Sequence, residues 1–181
     1  MMHQMTGEPI VTAIMPTYNQ AAFVGAALES ILAQTFGAWE LIVVDDGSTD
    51  GTPDIVRRYR DSRIRVLTRD HGGLYRLRDL YQTAMDASTA PLVAILEGDD
   101  TWPADKLARQ VADFDDPAVV LSYGSGWLID EFGCRYDLVE PSFTEAVRTN
   151  GPDASILPEL LANNAILSPT LVLRRSALES I

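Results

Sequence analysis

Pro91-Leu-Val-Ala-Ile-Leu-Glu-Gly-Asp-Asp100 is an apolar run that stops abruptly in acid. Its first six residues have the composition of a strand covered on both faces, as in a parallel sheet between helices. Three carboxylates around one glycine do nothing for such a strand. Packed together they repel and raise one another's pKa values unless a cation sits among them. Carboxylate oxygens are hard ligands, which suits Mg2+ or Mn2+. The competing reading of Glu97 to Asp100 is a solvated acidic turn. A second apolar run, residues 39–44, also ends in acid, at Asp45-Asp46-Gly47-Ser48, and this tilts the balance toward a site.

Working outward, strands and helices alternate. A β-rich run at 10–15 is closed by Pro16, and Asn19 is placed to cap a helix carrying Phe23, Val24, Ala27, Leu28, Ile31 and Leu32 on one stripe. Residues 39–44 form a second strand. Thr52 then caps a helix with Pro53 at its first position. Residues 63–67 form a third strand, followed by a helix through Leu74, Leu77, Leu80, Tyr81, Ala84 and Met85. After the strand at 91–96, Pro103 opens a helix carrying Leu107, Val111 and Phe114. This rhythm predicts an open, mostly parallel α/β sheet with helices on both faces.

Beyond residue 116 the rhythm breaks. Strands are expected at 119–123, 126–130 and 168–173, a turn at 131–134, a loop at 141–153 and short helices at 158–161 and from Ser176. The chain therefore divides into a loose leader (1–8), a ligand-binding portion (9–116) and a partial second portion (117–181), together one compact domain.

Composition narrows the partners. A net charge of −12 over 181 residues argues against nucleic acid, whose phosphates are met by Lys and Arg, and against direct contact with an anionic lipid surface. No apolar run reaches the roughly 20 residues of a membrane span. A lone Cys134 excludes an internal disulfide, and residues 1–8 lack the features of a signal peptide, so a cytoplasmic setting is expected.

In an open α/β sheet, ligands bind beyond the carboxyl ends of the strands. Three such ends are polar here: Pro16-Thr17-Tyr18-Asn19, Asp45-Asp46-Gly47-Ser48 and Glu97-Gly98-Asp99-Asp100. A carboxylate only accepts hydrogen bonds, so Asp46 suits the N–H edge of a base, and Tyr18 suits stacking on that base or holding a phosphate. Turn chemistry alone is the rival account of Asp45 and Asp46.

Four motifs in order, Met15-Pro-Thr-Tyr-Asn19, Gln34-Thr-Phe36, residues 39–52 (Trp-Glu-Leu-Ile-Val-Val-Asp-Asp-Gly-Ser-Thr-Asp-Gly-Thr) and Leu96-Glu-Gly-Asp-Asp-Thr-Trp102, resemble the family 2 glycosyltransferases of the GT-A fold. The likeness is specific from Ile10 to Leu107 and weaker after Ser122, where Asn164 to Leu178 is similar to the family's acceptor-side strand. It implies a GT-A-like, Rossmann-type sheet with a truncated acceptor-side portion. It also implies metal-dependent inverting transfer of a sugar from a nucleotide-sugar, usually a UDP-sugar, with Mn2+ or Mg2+. By the same resemblance Pro16, Thr17 and Tyr18 border the nucleotide, Asp46 bonds the base, and Arg78 lies near the base or diphosphate. Asp79 departs from the asparagine usual after that arginine. Glu97, Asp99 and Asp100 fall on the DxD-like metal motif, with Asp99 toward ribose or metal and Asp100 on the metal. Glu97 is longer than the usual aspartate.

The resemblance further implies a carbohydrate or lipid-linked acceptor, a location at the inner face of the membrane through partners, and compatibility with a homodimer. The family's general base follows the acceptor-side strand. Glu179 does not match it, so the catalytic residue is expected beyond Ile181, and a non-catalytic nucleotide-sugar-binding module is the alternative. A sugar-phosphate nucleotidyltransferase is disfavoured because no glycine-rich basic loop follows the first strand. Gly124-Ser-Gly126 lacks the third glycine of a dinucleotide fingerprint, and residues 45–50 miss the calcium-loop pattern. His71 is read as a solvated loop histidine or a phosphate contact. Trp102 is read as packing the following helix ahead of binding sugar, Trp127 as core or acceptor-pocket lining, and Arg174 and Arg175 as surface charge ahead of contact with an acceptor or a partner.

Overall fold

Strand β1 (Val11–Thr17) is buried along its whole length because it lies inside a six-stranded sheet of order β3 (Ile64–Thr68), β2 (Trp39–Asp45), β1, β4 (Leu92–Ile95), β8 (Val172–Arg174) and β5 (Leu121–Ser122). The computed structural model describes residues 7–73, 76–130, 132–141 and 166–178. β2 (Trp39–Asp45) runs parallel to β1 in register from Val11↔Trp39 to Thr17↔Asp45, and β3 (Ile64–Thr68) extends that edge. The chain then returns to the other side of β1 with β4 (Leu92–Ile95), also parallel. Strand order thus reverses between β1 and β4, which opens a crevice at their carboxyl ends.

Alternate side chains of these strands feed two cores. Val11, Ala13, Met15, Leu41, Val43 and Ala94 pack with α1 (Val24–Leu32), α2 (Thr52–Val56) and α4 (Lys106–Asp113). Ile14, Ile42, Val44 and Val93 pack with Leu80 and Ala84 of α3 (Leu77–Asp86) on the opposite face. Helices therefore cover both faces, as the apolar runs imply.

β8 (Val172–Arg174) joins antiparallel to β4 and to the two-residue β5 (Leu121–Ser122). β6 (Gly126–Ile129) and β7 (Arg135–Val139) form a separate hairpin. β7 has no counterpart in the sequence reading. It is exposed over most of its length, so no buried face imposes a pattern on it. The helix expected at 158–161, nearly all of the loop at 141–153, most of the leader, Leu74 and Glu179 lie outside the described residues.

Several local expectations are corrected. β1 runs through Pro16 instead of ending at it. Ile10 and Ile14 carbonyls face β4 while Thr17 faces β2, so Pro16 turns its missing donor toward the β4 side, beyond the last β1–β4 pair, Ile14↔Ile95. Asn19 does not cap α1, whose N-cap is Phe23, itself 43% exposed. Gly51, with φ +92°, precedes α2 in place of Thr52. Arg174 and Arg175 are not surface charge. Arg174 donates to the carbonyls of Val119, Phe114 and Asp116, and Arg175 to those of Ala90 and Met85 and to the Ser88 hydroxyl, which pins β8 to the sheet. Gln34, in one of the quoted motifs, is likewise structural: its amide donates to Ser30 and Pro103 carbonyls and accepts the Leu107 N–H, tying α1 to α4.

Candidate donor-binding site

The loops after β1 and β2 are sewn together by their own side chains. Asn19 N–H donates to Ser48 Oγ (2.9 Å), and Thr49 N–H donates to Asn19 Oδ1 (2.8 Å). Gln20 N–H donates to Thr52 Oγ1 (2.9 Å), Ala21 N–H to Asp50 Oδ2 (2.9 Å), and the Thr52 hydroxyl to Asp50 Oδ1 (2.6 Å). The Thr52 hydroxyl first, and then the Ala21 N–H, hold the Asp50 carboxyl below the usual carboxylate range. The 45–52 motif is therefore mostly scaffold. Asp45 belongs to that scaffold too, buried and accepting from the Thr17 hydroxyl and the Ser48 N–H.

Asp46 is different. Its side chain is 6% exposed and accepts the N–H groups of Gly72 and Gly73 at 3.0–3.2 Å. His71 Nδ1 lies 2.8 Å from Asp46 Oδ2, and the His71 ring stacks on Tyr18 with centroids 4.0 Å apart. Gly47 makes this approach feasible. Its φ is +73°, and a Cβ there would sit 2.8 Å from the His71 nitrogen. The structure thus gathers Tyr18, Asp46 and His71 at one corner of the crevice. The contacts of His71 with Tyr18 and Asp46 are not legible in its loop sequence, because only the return of the chain after β3 brings it there.

At the other side of the crevice, Glu97 to Asp100 turns sharply, with Asp100 N–H donating to the Glu97 carbonyl (3.0 Å). Gly98 is buried where a Cβ would meet Thr17 and Gln20, so this position admits only glycine without a shift in its neighbours. Glu97 accepts the Tyr81 hydroxyl (3.0 Å) and bonds Ser168. Burial, and secondarily Asp99, push its carboxyl up, while those two hydrogen bonds oppose the rise. Tyr81, an expected core residue of α3, is thus a buttress of the acidic turn, and its own hydroxyl is pushed up by burial beside that carboxylate. Asp99 is exposed. Asp100 is pushed up to about 6, first by burial and then by Asp99 and Glu97. Among the described residues, no three His, Cys, Asp or Glu side chains are gathered into a ready-made metal cluster. Arg78 is exposed on the first turn of α3, and no hydrogen bond or ion pair among the described residues joins it to Asp46 or to the acidic turn. Asp79 pairs with Arg76 instead (2.9 Å).

Beside Asp100 opens a cavity of about 800 Å3 between α4, the 168–170 turn and the β6–β7 hairpin. Trp102 forms part of its wall, its indole donating to the Pro169 carbonyl (2.8 Å) with the Lys106 ammonium over the ring. Burial pushes Lys106 down to about 7. Trp127 is half exposed and lines this cavity with Arg135 near its ring, so of its two readings the structure supports pocket lining over core. No helix among the described residues is long and apolar enough to cross a membrane.

The fold agrees with that of other proteins of known structure. The chain is 38% identical over 104 residues to the UDP-Glc:alpha-D-GlcNAc-diphosphoundecaprenol beta-1,3-glucosyltransferase WfgD of Escherichia coli, covering 57% of this chain and 40% of that one. Its fold matches S. aureus TarS 1-349 with a TM-score of 0.68 at 22% identity, over 94% of this chain and 48% of the other. It matches the mannosyltransferase PcManGT of Pyrobaculum calidifontis, solved with GDP-Man and Mn2+, with a TM-score of 0.65 at 26% identity, over 97% and 47% respectively. The chain spans less than half the length of each of these three proteins. The fold is thus that of GT-A glycosyltransferases, and a family model, glycosyl transferase family 2, matches residues 12–181: the chain belongs to glycosyl transferase family 2.

Proposed function

We propose that this chain is the donor-binding portion of a glycosyltransferase that moves a sugar from a UDP-sugar to an acceptor hydroxyl with inversion, assisted by Mn2+ or Mg2+. The observation that carries the reading is the convergence of Tyr18, Asp46 and the Glu97–Asp100 turn on the single crevice where strand order reverses. Pro16, Thr17 and Tyr18 border the nucleotide, and Asp46 takes the N–H edge of the base. Arg78 is assigned to the base or the diphosphate, which requires its side chain to reach in from the surface of α3. Residues 9–116 serve the donor and 117–181 the acceptor side.

The residues present fit a divalent cation. Asp100 is pushed up to about 6 by burial and by two neighbouring carboxylates, which marks negative charge that the fold leaves unneutralised. Mg2+ and Mn2+ sites of this kind use one or two carboxylates and take further ligands from substrate phosphates, so a preassembled trio is not needed. Asp99 and Asp100 are the ligands in this reading. Glu97, engaged by Tyr81 and Ser168, holds the turn in place and completes the acidic set. When bound, the cation acts as a Lewis acid on the diphosphate leaving group. The protein's share is to orient the donor, bury its diphosphate end and keep the anomeric carbon open toward the Trp102–Trp127 cavity, where the acceptor hydroxyl approaches from the opposite face.

UDP is favoured by the glucosyltransferase relative, whose name specifies a UDP-sugar donor and a lipid-linked diphosphate acceptor. A metal is favoured by the mannosyltransferase neighbour, which holds Mn2+. A lipid-linked acceptor would bring the protein to the inner, cytoplasmic face of a membrane. Calorimetric titration with UDP, with and without MnCl2, tests the binding half: metal-dependent binding is expected, and none with metal present would sink the reading. Transfer to acceptor with the opposite anomeric configuration, read by NMR, tests the chemistry. UDP release no faster than background hydrolysis across an acceptor panel would leave a binding module.

A further inference from the structure

The imidazole of His71 meets both conditions set for a base in this crevice. Its Nδ1 lies 2.8 Å from Asp46 Oδ2, and its ring lies 4.0 Å from that of Tyr18, inclined by only 18°. A stack at that separation leaves no room for a third ring between the two. We propose that His71 is an internal stand-in for the nucleotide base: it occupies the subsite formed by Tyr18 and Asp46, and the donor displaces it on binding. This rests on the assignment of Tyr18 and Asp46 to the base given above.

The anatomy suits such an exchange. The backbone of the loop is anchored independently of the ring, by Arg69 N–H to the Asp45 carbonyl (2.9 Å) and by Gly72 and Gly73 N–H to the Asp46 carboxylate. The His71 side chain is 47% exposed, so rotation about its own bonds carries the ring into solvent without breaking those anchors. A carboxylate offers about four acceptor sites, so Asp46 keeps its two glycine donors and gives a base N–H the place that Nδ1 vacates. Tyr18 then exchanges one planar partner for another. The cost is an apparent affinity reduced by the fraction of molecules in which the ring is docked.

Calorimetric titration of UDP, and separately of GDP, in MnCl2 into wild type, His71→Ala and His71→Phe tests the exchange. His71→Ala is expected to bind nucleotide about three- to tenfold more tightly than wild type, as removal of a docked competitor predicts. His71→Phe, which keeps the stack and loses the N–H, is expected in between. In wild type, the ring-proton NMR signals of His71 should move away from Tyr18-shielded positions as UDP saturates. If wild type binds UDP or GDP and His71→Ala binds it equally or more weakly, the histidine is a wall of the site and the proposal is overturned. If neither protein binds either nucleotide, the base-site reading itself fails and takes the proposal with it.

Discussion

The carboxyl edge of β1, β2 and β4 and the β6–β7 hairpin draw on similar residues, Asp, Gly and aromatics, yet they are built to opposite standards. At the sheet edge, the loop backbone is held by side chains from the neighbouring loop, through Asn19, Ser48, Asp50 and Thr52. Beneath it lie strands buried on both faces. The hairpin is held by its own ladder and by Asp130, which accepts the N–H groups of Phe132 and Cys134, and it leaves Phe132 82% and Tyr136 67% exposed. A site for a rigid, charged nucleotide needs donors and acceptors fixed in advance, since a pre-ordered site loses less entropy on binding. The hairpin supplies a wall of the adjoining cavity, through Trp127 and Arg135.

The contrast can be broken most severely at the acidic turn. Asp100→Ala should lower transfer by about 10²- to 10³-fold, equivalent to several kcal/mol of lost leaving-group stabilisation, while thermal unfolding stays cooperative; steady-state rates at saturating Mn2+ measure it. In the core beneath, Leu41→Ala removes a fully buried side chain and should cost about 2–5 kcal/mol in denaturant unfolding. Gly98→Ala places a methyl against Thr17 and Gln20 and should cost about 1–3 kcal/mol, with UDP binding weakened alongside. A pH series sharpens the same point. Asp100 titrates at about 6 in the fold against 3.8 for an ordinary aspartate, so the folded state holds the extra proton between those values. Stability from this group falls as pH rises through that window, and wild type should lose melting temperature relative to Asp100→Asn there without divalent cation. The smallest effect belongs to the hairpin: Tyr136→Ala should shift stability by no more than about 0.5 kcal/mol, and a core-sized loss would erase the distinction drawn above.

Much of the sheet is legible in the chain because burial on both faces forces continuous apolar runs, as at residues 39–44 and 91–96. The acidic turn is legible because three carboxylates have no place in a core. The errors fall where a residue's partner is distant in sequence. Arg174 and Arg175 look like surface charge until β8 brings them against the carbonyls of residues 85–90 and 114–119. Tyr81 reads as apolar stripe until α3 lays its hydroxyl on Glu97. β7 escapes because it is exposed over most of its length.

By its order of residues alone, this protein determines a mostly parallel α/β sheet, a crevice bordered by Thr17, Tyr18 and Asp46, and an acidic edge at Glu97–Asp100. Periodicity and charge are local properties and need no folded chain to be read. Tertiary structure alone decided that Asp45 and Asp50 are scaffold, that Glu97 is braced by Tyr81, and that the His71 ring stacks on Tyr18 with its Nδ1 at the Asp46 carboxylate. Those assignments depend on side chains meeting across tens of residues, and only the closing of the sheet around β1 sets those distances.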